Sequence, residues 1–371
     1  MNTMNILSEQ ERLVLLLREL YQGHGCVRFP MRRFEEYALY LENKSFLTSE
    51  QVLSFTDGNG KLMALKPDVT LSIVKHARRG RECVEKLYYH ESVYRASPTD
   101  HEFKEIEQIG VEYLGNIDRC ATGEVMWLAL ESLRMIGREY VMDISHMGLT
   151  AGLMNDCGLD GEAREEAFRL IRQKNVHELR AMLTAKGLGT DTVERFAALL
   201  TISGTVEEML EKAAQLTLGE ASRKAVEELS QLYSDLRALG MESHVRLDFS
   251  IANDLDYYNG LVFRGYVEGA PRAVLSGGRY DHLMAKMGKD ADGFGFALYL
   301  DELNSLATLP SRDEVDVLAQ YAPEDDAAKV LTAVKRMREL GLRVLATCGE
   351  APQVYAYRHC RFDGERFVEV E

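Results

Sequence analysis

A small set of polar side chains on short apolar runs is what this chain offers for chemistry. The run "LKPDVT" carries Asp68 and Thr70 with one residue between them, which strand alternation would put on one face. "EQIGVE" carries Gln108 and Glu112, four apart and again on one strand face. "NDLDYYNGLVF" sets Asp256, Tyr257 and Tyr258 side by side, and "LSGGRYDHL" follows with Gly277, Gly278, Arg279 and Tyr280. Acids with an amide suit a ligand ammonium group, because a carboxylate accepts charge-assisted hydrogen bonds. A phenol beside a carboxylate can orient a second polar group such as an imidazole. Taken singly, each acid reads as the solvent face of a half-exposed sheet. Several such strands in one chain shift the reading toward a pocket for a small ligand. The sequence contains no P-loop, dinucleotide fingerprint, H-E-x-x-H or G-x-S-x-G, so serine-nucleophile and zinc-hydrolase chemistry lack support.

The bulk properties bound the rest. The chain has 371 residues, enough for two or three domains, with 46% hydrophobic and 28% charged residues, as in a soluble globular protein. No window approaches the roughly eighteen apolar residues of a membrane span. "MNTMNILSEQERL" lacks the basic and apolar regions of a secretory signal, so a cytoplasmic protein is expected. The six cysteines are scattered without metal-ligand spacing and read as reduced thiols, so no metal or cofactor is expected. A net charge of −15 disfavours a nucleic-acid partner, and the one dense basic run, "KHARRGR" at 75–81, reads as a solvated helix end.

Periodicity supplies the elements that must position those side chains. Ser8 and Glu11 form a capping box for a first helix with Leu13, Leu16, Leu17 and Leu20 on its apolar face. "VLSFTDGNGKLMAL" reads as a hairpin in which Asp57-Gly58-Asn59-Gly60 supplies the positive φ angles of a tight turn. "KLYYHESVYRA" and "FKEIEQIGVEYLG" read as an antiparallel pair, and "ATGEVMWLALESLRMIG" as a helix. From about 155 to 240 the chain reads as a helical insertion, with a capping box at Thr205 and Glu208. "HVRLDFS", "GLVFRGYV", "AVLSGG" and "GFGFALYL" are further strands. The hairpin-linked strands predict an α+β core over 1–310 with an antiparallel sheet and flanking helices. Residues 312–371 predict a small C-terminal α/β domain, from a β-α-β pattern.

Five stretches in order, "ALKPDVT", "VYRA…FKEIEQIGVEYLG", "LDYYNGLVF", "SGGRYD" and "GFGFAL", resemble the class II aminoacyl-tRNA synthetase fold of the histidyl-tRNA synthetases, from roughly residue 8 to 308. The resemblance implies a six- or seven-stranded antiparallel sheet, usually in a homodimer, with a histidine pocket. Asp68, Thr70 and Gln108 match positions that hold the α-amino group. Glu112, Tyr258 and Tyr280 match positions on the imidazole side, with Tyr257 beside them. Gly277 and Gly278 would let backbone approach the ligand. Arg95 matches the arginine of the second signature motif.

The departures from that family bear on its reaction. Asn253 and Asp254 stand where the family has Arg and Gly, Ser97 where it has an acid, and Tyr299 where it has Gly. Asp301 and Glu302 stand where it has Glu-Arg, so a cation that would grip phosphate has become an anion. The C-terminal segment is shorter than the anticodon-binding domain it resembles. Together these departures resemble the regulatory subunits of ATP phosphoribosyltransferase, synthetase paralogs of histidine biosynthesis. That resemblance implies a non-catalytic subunit in a hetero-oligomer with a short-form catalytic subunit. Histidine would be its effector, and neither tRNA nor a membrane would be a partner. A divergent histidyl-tRNA synthetase and a stand-alone histidine sensor remain the other readings.

Overall fold

A computed structural model of the chain describes residues 7–44, 47, 52–77, 80–82, 84–96, 102–251, 258–303, 315–349 and 356–370. Two compact units form, Gln10–Ser305 and Leu306–Glu371 together with Met1–Glu9. Among the described residues no helix is long and apolar enough to cross a membrane.

In chain order the larger unit runs α1 (Glu9–Gly23), β1 (Val27–Arg28), β2 (Phe34–Glu36), α2 (Tyr37–Glu42), β3 (Ser54–Thr56), β4 (Leu62–Leu65), α3 (Thr70–His76), β5 (Glu85–Ala96), β6 (Phe103–Gly115), α4 (Arg119–Arg134) and β7 (Tyr140–His146). Helices follow: α5 (Met147–Asp156), α6 (Gly161–Arg172), α7 (Val176–Ala185), α8 (Thr190–Thr201), α9 (Val206–Leu216) and α10 (Glu220–Ala238). Then come β8 (Val245–Leu247), β9 (Leu261–Val267), β10 (Leu275–Arg279), α11 (Asp281–Lys286), β11 (Asp292–Tyr299) and α12 (Leu300–Leu303). The smaller unit holds β12 (Val315–Tyr321), α13 (Ala327–Glu339), β13 (Val344–Cys348), β14 (Ala356–Phe362) and β15 (Phe367–Glu369).

The central sheet is eight-stranded, in the order β1-β5-β6-β11-β10-β9-β7-β8. It is mixed rather than purely antiparallel: β1 joins β5 in parallel at one edge and β8 joins β7 in parallel at the other. Its long middle pairs are antiparallel, so directly opposed residues share a face. One face puts Tyr88, Ile109, Val111, Tyr113, Phe294 and Phe296 under α1 and α4, and there Tyr21 of α1 packs on Phe296 and bonds Ser132 of α4. The opposite face carries Tyr89, Glu91 and Arg95 of β5 and Gln108, Gly110 and Glu112 of β6. Gly295 and Tyr299 of β11 and Ser276 and Gly278 of β10 continue it.

Two local expectations change. Asp68 and Thr70 do not lie on a strand: β4 stops at Leu65, Pro67 cannot donate to a ladder, and Thr70 opens α3. Asp68 Oδ1 instead accepts from the Leu71 N–H at 2.8 Å, which satisfies one of the free donors at the helix start. The β3–β4 turn runs over Asp57–Lys61, closed by the Asp57 N–H to Lys61 carbonyl bond, and within it only Gly60 takes a positive φ, of 81°. In the smaller unit the β-α-β pattern is joined by β14, parallel to β12, and by β15, antiparallel to β14.

The Thr205–Glu208 capping box forms as the sequence predicts: the Glu208 N–H donates to Thr205 Oγ1 at 3.2 Å and the Thr205 N–H to Glu208 Oε2 at 3.1 Å. Thr205→Ala should therefore cost about 0.5–2 kcal/mol of stability in chemical denaturation. An unchanged midpoint and slope would show that α9 does not depend on this cap.

Candidate functional site

The polar face of the sheet is organised around Glu112. Its side chain is 2% exposed. Oε1 accepts from the Thr70 hydroxyl at 2.8 Å and Oε2 from the Tyr280 hydroxyl at 2.6 Å. Three distant pieces of chain thus meet on one carboxyl: the start of α3, the C-terminal part of β6 and the turn after β10. Burial pushes the Glu112 carboxyl up to about 8, nearby Asp68 adds to the rise, and the two hydroxyl donors oppose it. Gly295 lies opposite Glu112 in the register, and a Cβ there would run into Glu112 Oε2 and the Val111 carbonyl. The glycine is what leaves space for the carboxyl.

Asp68 is held by the stretch that precedes α3. Lys66, fully buried, pairs with Glu91 of β5 at 2.9 Å. The Tyr94 N–H donates to the Lys66 carbonyl at 2.9 Å, and Arg95 Nε donates to the Pro67 carbonyl at 2.7 Å. Arg95 Nη2 then stands 3.6 Å from Asp68 Oδ2. Burial raises the Asp68 carboxyl above its ordinary range, while Arg95 and the Leu71 and Thr70 N–H groups pull it down. Gln108, 2% exposed, lies between Glu91 and Tyr299 in the register, four residues from Glu112 on the same face of β6.

Phenols complete the cluster. Tyr258 lies over Gly278, where a Cβ would stand 2.5 Å from its Cδ1. Tyr89 lies over Gly110 in the same way. Burial lifts both phenols well above their ordinary range, and the neighbouring Tyr299, Glu112 and Asp68 add to it. Tyr299 shares a hydrogen bond with Ser276 Oγ at 2.7 Å. At the end of β11, Asp301 Oδ2 accepts from the Glu107 N–H at 2.6 Å, and Glu302 Oε1 is 3.9 Å from Arg272 Nη1.

The structure therefore brings together Asp68, Thr70, Arg95, Gln108, Glu112, Tyr258 and Tyr280 on one face or at its rim. Gly278 belongs to that face, but Tyr258 covers it. Gly277 points to the other side, where a Cβ would meet the Gly295 carbonyl, Phe263 and Phe296, so its lack of a side chain serves aromatic packing beneath the sheet rather than a ligand. Arg279 also turns away and pairs with Asp281 and Asp292. Asn253, Asp254, Asp256, Tyr257 and Ser97 lie outside the described residues. Sequence reasoning missed Tyr89, the Lys66–Glu91 pair and Ser276. For Tyr89 and Glu91 a signal existed, since they alternate with Arg95 along β5.

The cluster combines two acids that burial holds toward their neutral forms with several hydroxyl donors. It suits a small ligand carrying an ammonium group and a ring nitrogen, because a cation entering beside the acids would favour their ionised forms. The raised Glu112 carboxyl has a consequence for stability. The folded state binds its proton more tightly than the unfolded chain does. Its contribution is full below the ordinary glutamate value of 4.5 and is lost as pH rises through about 8. Glu112→Gln, which mimics the protonated acid, should flatten the fall in thermal midpoint between those values. A variant whose midpoint falls with pH as steeply as the parent's would show that Glu112 is not the group responsible.

Comparison with known proteins identifies the family and the fold. The family profile described as histidyl-tRNA synthetase matches residues 7–303. An ATP phosphoribosyltransferase regulatory subunit of Desulforamulus reducens is 31% identical over 87% of this chain and 82% of its own length. Among solved structures, an ATP phosphoribosyltransferase regulatory subunit/histidyl-tRNA synthetase from Bacillus halodurans superposes with a TM-score of 0.78 at 24% identity, covering 95% of this chain and 94% of that one. A chain of the ATP phosphoribosyl transferase complex from Thermotoga maritima gives 0.62 at 20% identity, over 79% of this chain and 98% of that one. At those identities the superpositions speak for the fold, which is that of the class II synthetases. The chain belongs to the histidyl-tRNA synthetase family, in its branch of ATP phosphoribosyltransferase regulatory subunits.

Proposed function

We propose that this protein is the non-catalytic regulatory subunit of an ATP phosphoribosyltransferase, supporting a short catalytic subunit and carrying histidine feedback inhibition. One observation carries the reading: an intact acid–phenol cluster stands beside a region unsuited to a nucleotide. In the cluster, Asp68, Thr70 and Gln108 would take the ligand ammonium. Glu112, Tyr258 and Tyr280 would take the imidazole, with Arg95 and Tyr257 completing the ligand contacts. Gly278 would serve by seating Tyr258.

The neighbouring region argues against adenylation. Arg95 is committed to the Pro67 carbonyl and lies beside Asp68. The Tyr299 phenol projects from the same sheet face, bonded to Ser276. Asp301 and Glu302 place anions where a terminal phosphate would need a cation. The family's absent arginines at Asn253 and Glu302 complete the case, drawn from sequence. We place the chain in the cytoplasm, as a homodimer within the hetero-oligomer.

Regulation of this kind requires that histidine bind one state of the complex better than another. Reconstitution tests it: this chain is mixed with a short-form catalytic subunit from the same organism, and product formation from ATP and phosphoribosyl pyrophosphate is followed with and without histidine. Activity should need this chain and fall with histidine. A catalytic subunit indifferent to this chain would overturn the proposal and favour a stand-alone sensor. Glu112→Ala and Tyr258→Phe should each weaken histidine binding by about 1–3 kcal/mol, the cost of losing a buried polar contact. Parent-like calorimetric affinity in both variants would place the ligand elsewhere.

A further inference from the structure

The Glu112 carboxyl closes a ring of contacts whose far side lies at the protein surface. From Thr70 the ring follows α3, whose Leu71, Ile73 and Val74 are fully buried. At the other end of α3, Lys289 Nζ donates to the Ala77 carbonyl at 2.5 Å and to the Lys75 carbonyl at 3.3 Å. Four residues past Ala77, Arg81 Nη2 stands 2.8 Å from Asp292 Oδ1, and its Nε 3.5 Å from Asp290 Oδ1. The second oxygen of Asp292 accepts from Arg279 Nη2 at 2.9 Å. Arg279 Nε donates to Asp281 Oδ2 at 2.8 Å. Between Arg279 and Asp281 sits Tyr280, whose hydroxyl returns the ring to Glu112.

The same network fixes the second phenol. The Asp281 N–H donates to Asn259 Oδ1 at 2.8 Å, and the Asn259 N–H donates to the Arg279 carbonyl at 2.9 Å. Asn259 is the residue after Tyr258. Both tyrosines therefore hang from the Arg279–Asp281 turn, and that turn is tied through Asp292 to Arg81.

Within this ring the Arg81–Asp292 link is open to a surface event. The Arg81 side chain is 52% exposed, while that of Asp292 is 7% exposed and keeps Arg279 as a partner if Arg81 is removed. We propose that Arg81 is a positioning residue for the pocket. Its ion pair with Asp292 braces Asp292 against Arg279 and so holds the Arg279–Asp281 turn, which sets Tyr280 against Glu112 and, through Asn259, seats Tyr258. Where it concerns histidine, this proposal rests on the pocket reading above.

The test compares the parent with Arg81→Ala and Arg81→Lys by two readouts. One is histidine affinity by calorimetry. The other, in the ligand-free protein, is the titration midpoint of Glu112 by carboxyl carbon NMR. That midpoint also feels Asp68, Thr70, Tyr89, Tyr258 and Tyr280, which face the same carboxyl. Arg81→Ala should weaken histidine about three- to fivefold, the range open to a half-exposed pair. It should also lower the Glu112 midpoint as water reaches the loosened site, and Arg81→Lys should restore both. A parent that fails to bind histidine would sink the pocket reading while leaving the NMR arm to decide on Arg81. A Glu112 midpoint identical in parent and Arg81→Ala, or a lysine variant as defective as the alanine, would overturn the positioning role.

Discussion

The site depends on keeping one carboxyl dry. Taking Glu112 out of water without partners would be prohibitive as an anion and costly even as an acid. The fold meets that demand in two ways. It holds the group toward its neutral form, and it supplies the Thr70 and Tyr280 hydroxyls, one for each oxygen. Both devices impose constraints elsewhere. Gly295 must lack a side chain, α3 must begin where it does, and the turn after β10 must aim Tyr280 inward. Asp68 sits close enough to feel the same field, so Arg95 and the first N–H groups of α3 have to balance it.

That dependence explains why so much of the cluster was legible and where legibility stopped. Gln108 and Glu112 could be placed on one face because β6 is long and regular, and period-two alternation survives along it. The same holds for the runs that became β5, β9, β10 and β11. Asp68 and Thr70 were misassigned to a strand because "LKPDVT" follows a real strand without a break in composition. Pro67 is the residue that ends the ladder, and Asp68 then serves the helix. The parallel pairing of β1 with β5 involves only Val27 and Arg28 on one side, too short a run to carry a pattern. The run that became β14 interleaves arginines and a histidine with its apolar residues, so its alternation is weak. Pairs such as Lys66 with Glu91 have no sequence signature, since their meeting is a property of the finished sheet.

The departures from the synthetase pattern acquire a physical meaning on this scaffold. An amino-acid ligand with an ammonium group and an imidazole asks for acids, an amide and hydroxyls, and those are assembled. A nucleotide asks for concentrated positive charge near its phosphates. On the same face the buried cation Lys66 is spent on Glu91, Arg95 on the backbone of Pro67, and the end of β11 leads into two acids. Under the proposed function the site would bind without reacting, and a binding site that does not turn over is suited to reporting a concentration.

The most direct test of that account is a paired calorimetric titration of the isolated chain, once with histidine and once with ATP and magnesium. Saturable heat with histidine and none with ATP is the predicted result. Saturable ATP binding, with pyrophosphate exchange to match, would contradict the account and return the chain to the working synthetases.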